Sequence, residues 1–284
     1  MKKIILFTFF LVAGSTVFGQ VDRSFGIRTG LNFSTIDGPV QAGEEWKNFI
    51  GFNIGAALGF HFTDRFEVRT ELSYAKKGSK YVYDGPSYFN FKSQNGQSIP
   101  AKGTAVWTMD VNNSYLELPV LTVFRYKRFE VYAGPSIALL VASSADGRLT
   151  FNGTTLGGTK IQDYERVLTY DFRRDKVGEG TGDITDLSLD GQTVKTASLL
   201  GAYHQFDSKD KPVYKPIDFG INAGASIYLT SSLYLGARLN YGLTDISNNT
   251  ADRDLSAPDA QNKPVFRTDF DRNFTIQANL GFSF

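Results

Sequence analysis

The stretch that decides the fold is residues 115–142, YLELPVLTVFRYKRFEVYAGPSIALLVA. Its first half puts Leu116, Leu118, Val120, Phe124 and Tyr126 on one face of an extended segment, with Glu117 and Arg125 on the other. Its second half sets Val131, Ala133, Ile137, Leu139 and Val141 against Glu130. Successive side chains of a strand point to opposite faces, so this alternation reads as β-structure with one apolar face. Only Lys127 and Arg128 separate the halves, which makes them a hairpin and places Arg125 opposite Glu130 on the polar face.

Working outward, the same period recurs over residues 25–34, 50–62, 66–75, 217–229, 233–243 and 273–284, giving eight strands. The connections alternate in length. Thr63 to Arg65, Lys127 to Arg128 and Thr230 to Ser232 make three short turns. The other four connections run to about 15, 40, 75 and 30 residues. Short turns at one end and long loops at the other are the pattern of an outer-membrane barrel, with the long loops outside the cell. The fold class expected is therefore all-β: an eight-stranded antiparallel up-and-down transmembrane β-barrel with long extracellular loops. The soluble alternative, a β-protein with its charged face in water, explains the alternation but not the segregation of loop lengths. Phe62, Phe66, Tyr126 and Phe129 beside the short turns, and Tyr74 and Tyr241 near the long loops, fit two interfacial aromatic girdles.

The polar face carries Arg28, Glu67, Arg69, Glu71, Glu117, Arg125, Glu130 and Arg238. An arginine facing lipid near the midplane costs roughly 2–4 kcal/mol, and several would consume a typical net stability of about 5–15 kcal/mol. The charged face must look inward. An eight-stranded barrel is only just wide enough for its interior to be filled by side chains. With Asp218, the inward set is four arginines against five acids, which favours mutual pairing in an ionic plug over a narrow gated channel. The turn after Phe62 places His61 opposite Glu67 at the buried periplasmic end. Phe282 and Phe284 close the chain on the apolar face as the C-terminal assembly signal, read by the barrel-assembly machinery.

Lys2 and Lys3 precede an apolar run from Ile4 to Val12, and Val17-Phe18-Gly19 offers small residues at the cleavage positions. This is the form of a secretory signal over residues 1–19, too short to span a bilayer as a helix. The mature chain, 20–284, is expected to be one barrel domain in the outer membrane of a Gram-negative bacterium, with outer-membrane lipid as its solvent. Losing the two lysines leaves 28 basic against 29 acidic residues, no electrostatic footprint for nucleic acid. Cysteine is absent, which excludes a Cys-linked lipid anchor and thiol or Cys-zinc chemistry.

Six stretches resemble the PorT-like outer-membrane β-barrel family of Bacteroidetes. They are GIRTGLNFS over 26–34, YLELPVL over 115–121, YAGPS over 132–136, DFG over 218–220, YGLTDI over 241–246 and LGFSF over 280–284. The resemblance spans the mature chain. It implies an eight-stranded outer-membrane barrel and, through the family's namesake, a place in an envelope or secretion assembly.

Nothing in the sequence calls for a cofactor, a metal or an enzymatic role. Gly134-Pro135-Ser136-Ile137-Ala138 is not a nucleophile elbow, because alanine stands at the last position and no helix follows. His204 reads as a solvated loop histidine. Asp183, Asp186, Asp190, Asp252, Asp254 and Asp259 lack calcium-loop spacing and read as solvated loop acids. The third connection, 143–215, is too long to be structureless. Its alternating patches predict that the flanking strands extend beyond the membrane with one added hairpin; an extra membrane-spanning pair is the alternative. Trp46, Tyr81, Tyr83, Tyr88, Phe89, Phe91 and Trp107 lie in the first two loops, as either a binding surface or a small core. The function expected is non-enzymatic: a barrel whose extracellular loops dock an envelope protein partner, with a purely structural barrel or a narrow channel as alternatives.

Overall fold

The computed structural model describes residues 22–178 and 180–284. The export segment read over residues 1–19 lies outside them. Regular structure among the described residues is all strand, twelve in number: β1 Asp22–Asp37, β2 Glu44–Lys47, β3 Phe49–His61, β4 Phe66–Lys92, β5 Ser98–Tyr126, β6 Phe129–Thr155, β7 Lys160–Asp171, β8 Gly180–Leu189, β9 Gln192–Leu200, β10 Ile217–Tyr228, β11 Leu233–Gly242 and β12 Arg272–Ser283.

Eight of these close into a ring. β1 pairs with β3, β3 with β4, β4 with β5 and β5 with β6. β10 pairs with β11, β11 with β12, and β12 returns to β1. The circle closes where Ile217–Ile227 of β10 lies antiparallel to Phe129–Leu139 of β6. Closure satisfies every backbone donor and acceptor without water, which hydrocarbon requires. Phe25, Ile27, Leu31, Ile54, Leu118, Val120, Leu239 and Leu280 all stand exposed on the outside, while Arg28, Glu71, Glu117 and Arg238 are buried inside.

The small circumference crowds the inner surface. A Cβ on Gly30 would lie 2.0 Å from the carbonyl oxygen of Ala278 on the neighbouring strand. A Cβ on Gly59 would lie 2.1 Å from Glu67 Oε1, so that glycine makes room for a charged side chain.

Above the membrane the ring becomes a platform. β4 and β5 run on as one hairpin, in register from Phe66↔Phe124 to Lys92↔Ser98. β6 follows β5 as far as Thr155, β7 folds back on β6, and the β8–β9 hairpin joins through a short parallel pairing of Val167 and Leu168 with Leu199 and Leu200. β2 covers β4. Inside lies an aromatic core that includes Tyr83, Phe89, Trp107, Phe151, Tyr164 and Tyr203. The loop aromatics therefore serve first as a core.

Three sequence expectations need correction. The connection over 76–114 is strand rather than loop, because the hydrophobic phase inverts on leaving the membrane. On β4 the inward odd positions are Glu71, Ser73 and Lys77 within the ring, but Tyr81, Tyr83, Phe89 and Phe91 above it. The 143–215 region carries β7 as well as a hairpin. The strand beginning at Ile217 has no extension: Pro212 and Pro216 precede it, and proline supplies no N–H to a ladder. Replacing Val120, outward within the ring, by arginine is expected to cost about 2–4 kcal/mol. Replacing Ile184, also exposed but on the platform, by arginine should change stability by less than about 0.5 kcal/mol. Urea unfolding of the vesicle-inserted barrel measures both.

Candidate functional site

The interior of the ring is an ordered stack of charges. Nearest the short turns, Arg69 lies between two carboxylates. It reaches Glu67 at 2.8 Å and Glu130 at 2.8 Å and 2.9 Å. Arg125 stands across the turn from Glu130 and bonds it at 3.0 Å. The Arg125 guanidinium also covers the Tyr228 ring, 4.2 Å from its centroid. His61 is paired in register with Glu67, its Nε2 3.8 Å from that carboxylate and 3.1 Å from Ser24 Oγ. Its side chain keeps 27% exposure, so it sits at the rim rather than in the buried end that the sequence suggested.

One level up, Glu71 lies between two arginines. Arg238 meets it through two bonds of 2.8 Å, a fork geometry that fixes both groups. Arg28 reaches the same carboxylate at 2.9 Å and extends to Asn53, Gln277 and Asn279. At the top of the ring, Lys77 Nζ lies 2.5 Å from Glu117 and 2.6 Å from Asn240 Oδ1. Asp218 accepts from Asn273 at 2.9 Å and Thr244 at 2.7 Å.

Lys77 was missed in the sequence because the strand was expected to stop at Ala75. The signal was present: Lys77 continues the inward parity of Glu71, Ser73 and Ala75. Adding it makes five cations (Arg28, Arg69, Lys77, Arg125, Arg238) against five carboxylates (Glu67, Glu71, Glu117, Glu130, Asp218). Tyr132 and Tyr228, which lie under Arg238 and Arg125, were also missed. Phe282 and Phe284 stand exposed on the outer face at the chain end.

A closed ring with an apolar outside and a charge-filled inside is the geometry of a membrane barrel. The family model for the outer membrane protein beta-barrel domain matches residues 18–248. The chain belongs to that family. This outer-membrane barrel matches no curated protein sequence. Among solved structures it is similar to Ail of Yersinia pestis, crystallised with the heparin analogue sucrose octasulfate. Identity there is 12% over 93% of this chain and 99% of that one, with a TM-score of 0.36. OprG of Pseudomonas aeruginosa aligns at 13% identity over 94% and 98%, TM-score 0.35. Neisserial surface protein A aligns at 10% over 92% and 97%, TM-score 0.35.

Outside the membrane a second ionic cluster ties loops together. Arg267 bonds Glu44 at 2.6 Å, pairs with Asp269, and approaches Asp252 at 3.8 Å. Burial, and then a hydrogen bond shared with Asp269, pushes the Asp252 carboxyl up to about 8, while Asp269 is held below the usual carboxylate range. Asp252 is not the solvated acid expected from the sequence, because the 244–271 connection packs over the barrel mouth. Nor is His204 in water. Its ring packs 6.1 Å from that of Trp107 and 6.2 Å from that of Tyr170, and burial lowers its pKa to about 4. Among the described residues no group of three or more His, Cys, Asp or Glu is placed to hold a metal ion.

The plug and the clasp each make a prediction. Truncating Glu71 to alanine leaves Arg28 and Arg238 facing each other unpaired, and should cost about 3–5 kcal/mol. Removing both partners of the upper pair, Lys77→Met with Glu117→Leu, should be neutral to within about 1 kcal/mol or stabilising. Chemical unfolding in vesicles reads the contrast. For Asp252 the folded pKa is raised. Its contribution is complete below the unfolded value near 3.8 and is lost as pH rises through about 8. Amides of residues 244–271 should exchange faster at pH 9 than at pH 6 after correction for intrinsic rates. Asp252→Asn should abolish that difference.

Proposed function

We propose that this protein is a non-enzymatic outer-membrane barrel with a plugged lumen whose extracellular platform docks an envelope protein, as an accessory component of an assembly in the PorT-like manner. The observation that carries the reading is where the order lies. The lumen is filled by mutually paired side chains, while β4, β5 and β6 carry 27, 29 and 27 residues and rise out of the ring to build a folded sheet with β7, β8 and β9. A barrel that only sealed a membrane needs no such superstructure. The platform ends in the free edge of β8. It also exposes apolar side chains in water, Leu156 at 64% and Ile184 at 57%. An open strand edge with apolar neighbours is a surface that takes a partner strand.

His61 is engaged with Ser24 and Glu67, and His204 with the Gly201 carbonyl through Nδ1. The basic and apolar pattern of residues 1–19 supports export with cleavage, and Phe282 and Phe284 support delivery to the barrel-assembly machinery.

Photo-crosslinking groups placed at Ile184 and Leu156 in intact cells are expected to capture one protein in stoichiometric yield, and the same group at Arg65 on the opposite rim is not. Purified barrel in planar bilayers should show no steady conductance. Persistent open-channel current, with no crosslinked product from the platform, would overturn the reading in favour of a channel.

A further inference from the structure

All four long connections converge on one cavity at the barrel mouth. It has a volume of about 150 Å³ and lies against the aromatic core, open on one side. Trp46, Tyr81, Trp107, Tyr170, Phe172 and Tyr214 form much of its wall. A cavity of this size lined by apolar groups holds one six-membered ring; about 150 Å³ accommodates benzene in an engineered protein interior.

Three unpartnered polar atoms set its chemistry. Trp107 is 5% exposed, and its indole Nε1–H has no hydrogen-bond partner among the described residues. His204 also lines the cavity. Its Nδ1 is 2.9 Å from the Gly201 carbonyl oxygen. A carbonyl only accepts, so Nδ1 carries the proton. Burial keeps the ring neutral, which leaves Nε2 as a bare acceptor, and Nε2 is buried without a partner. The wall thus offers two unused donors, Trp107 Nε1 and Gln205 Nε2, and one unused acceptor, His204 Nε2. Leaving a buried polar atom without a partner is unfavourable, so a ligand that satisfies Trp107 and His204 recovers that cost.

Four charged groups stand at the border, Glu44, Asp252, Arg253 and Asp271. Glu44 is held by Arg267, and Arg253 donates to Tyr88 at 3.0 Å and lies 4.4 Å over its ring. Asp252, which Arg267 approaches at 3.8 Å, and Asp271 make the border mostly acidic, which disfavours an anionic ligand. His204 and Gln205 also line a larger recess of about 710 Å³ beneath the β8–β9 hairpin, so one wall is shared between the cavity and the platform.

We infer that this cavity binds a neutral single-ring alcohol of the phenol class, whose hydroxyl accepts from Trp107 Nε1 and donates to His204 Nε2. One hydroxyl is both donor and acceptor, and a flat ring fits aromatic walls.

The chain has two tryptophans, and both line the cavity, so intrinsic fluorescence reads occupancy directly. The full-length barrel in nanodiscs is titrated with p-cresol, toluene and p-toluate, with excitation to the red of phenol absorption. Saturable quenching by p-cresol is expected, at least about tenfold tighter than by toluene or p-toluate, because a site built to read a hydroxyl rejects the analogue without one. Trp107→Phe keeps a ring and removes the donor. It should weaken p-cresol about tenfold and leave toluene unchanged, with Trp46 as the reporter. Ala251→Leu fills the space and should abolish saturation. Equal affinity for toluene and p-cresol, no saturable signal, or unchanged binding in Ala251→Leu would each overturn the assignment. If Ala251→Leu fails to give a heat-modifiable barrel, the p-cresol to toluene ratio in the unsubstituted protein and in Trp107→Phe decides.

Discussion

The pairing of β10 with β6 is the contact on which the rest depends. Before it forms, the sheet has two edges, and each exposes a row of unpaired N–H and C=O groups. In hydrocarbon those groups find no water, and each costs several kcal/mol. Eleven residues of β10, Ile217 to Ile227, take up that cost by meeting Phe129–Leu139. The same closure defines an inside. Once the ring is shut at eight strands, the inward positions share a narrow column in which side chains must touch, and the charges have no choice but to find each other.

That column accounts for the spacing of the interior. Acidic and basic residues come in layers, Glu67 and Glu130 around Arg69, then Arg28 and Arg238 around Glu71, then Lys77 with Glu117. A buried pair of this kind is weak evidence for net stability, since desolvation offsets much of the attraction. Its consequence is specificity. A strand that slipped by one residue would put arginine into lipid and leucine into the column, so the layers hold the register that closure needs.

At the outer membrane surface the rule inverts. Within the bilayer the apolar side chains face out, and above it they face in. β4 makes the change by sequence, passing from Leu72 and Tyr74 outside to Tyr81 and Tyr83 inside across the Lys76-Lys77-Gly78-Ser79 stretch. β6 makes it by geometry. Val131, Ile137, Leu139, Val141, Ala145, Leu149 and Phe151 all hold odd positions, but the register shifts beside Tyr115 so that Val141 faces lipid while Ala145 and Leu149 are buried in the platform. A bulge is one extra residue that re-aims every side chain after it. One strand therefore serves both solvents with a single pattern.

The eight membrane strands, the face that meets lipid and the pairing of Arg125 with Glu130 and of His61 with Glu67 could all be read from the order of residues, because period-2 alternation and short turns are local properties. The platform could not. Residues 76–114 change phase on leaving the membrane, and an alternation that changes phase resembles no alternation at all. Lys77 was lost with them, as was the burial of His204, whose ring is covered by Trp107 and Tyr170 from distant strands. The order of residues alone determined a charged, closed barrel, since the cost of exposing backbone and charge to lipid admits no other arrangement of these strands. Which charge meets which across the ring, and which loop aromatics enclose a cavity, was decided by the tertiary structure, because those contacts join residues that only closure and the bulge in β6 bring together.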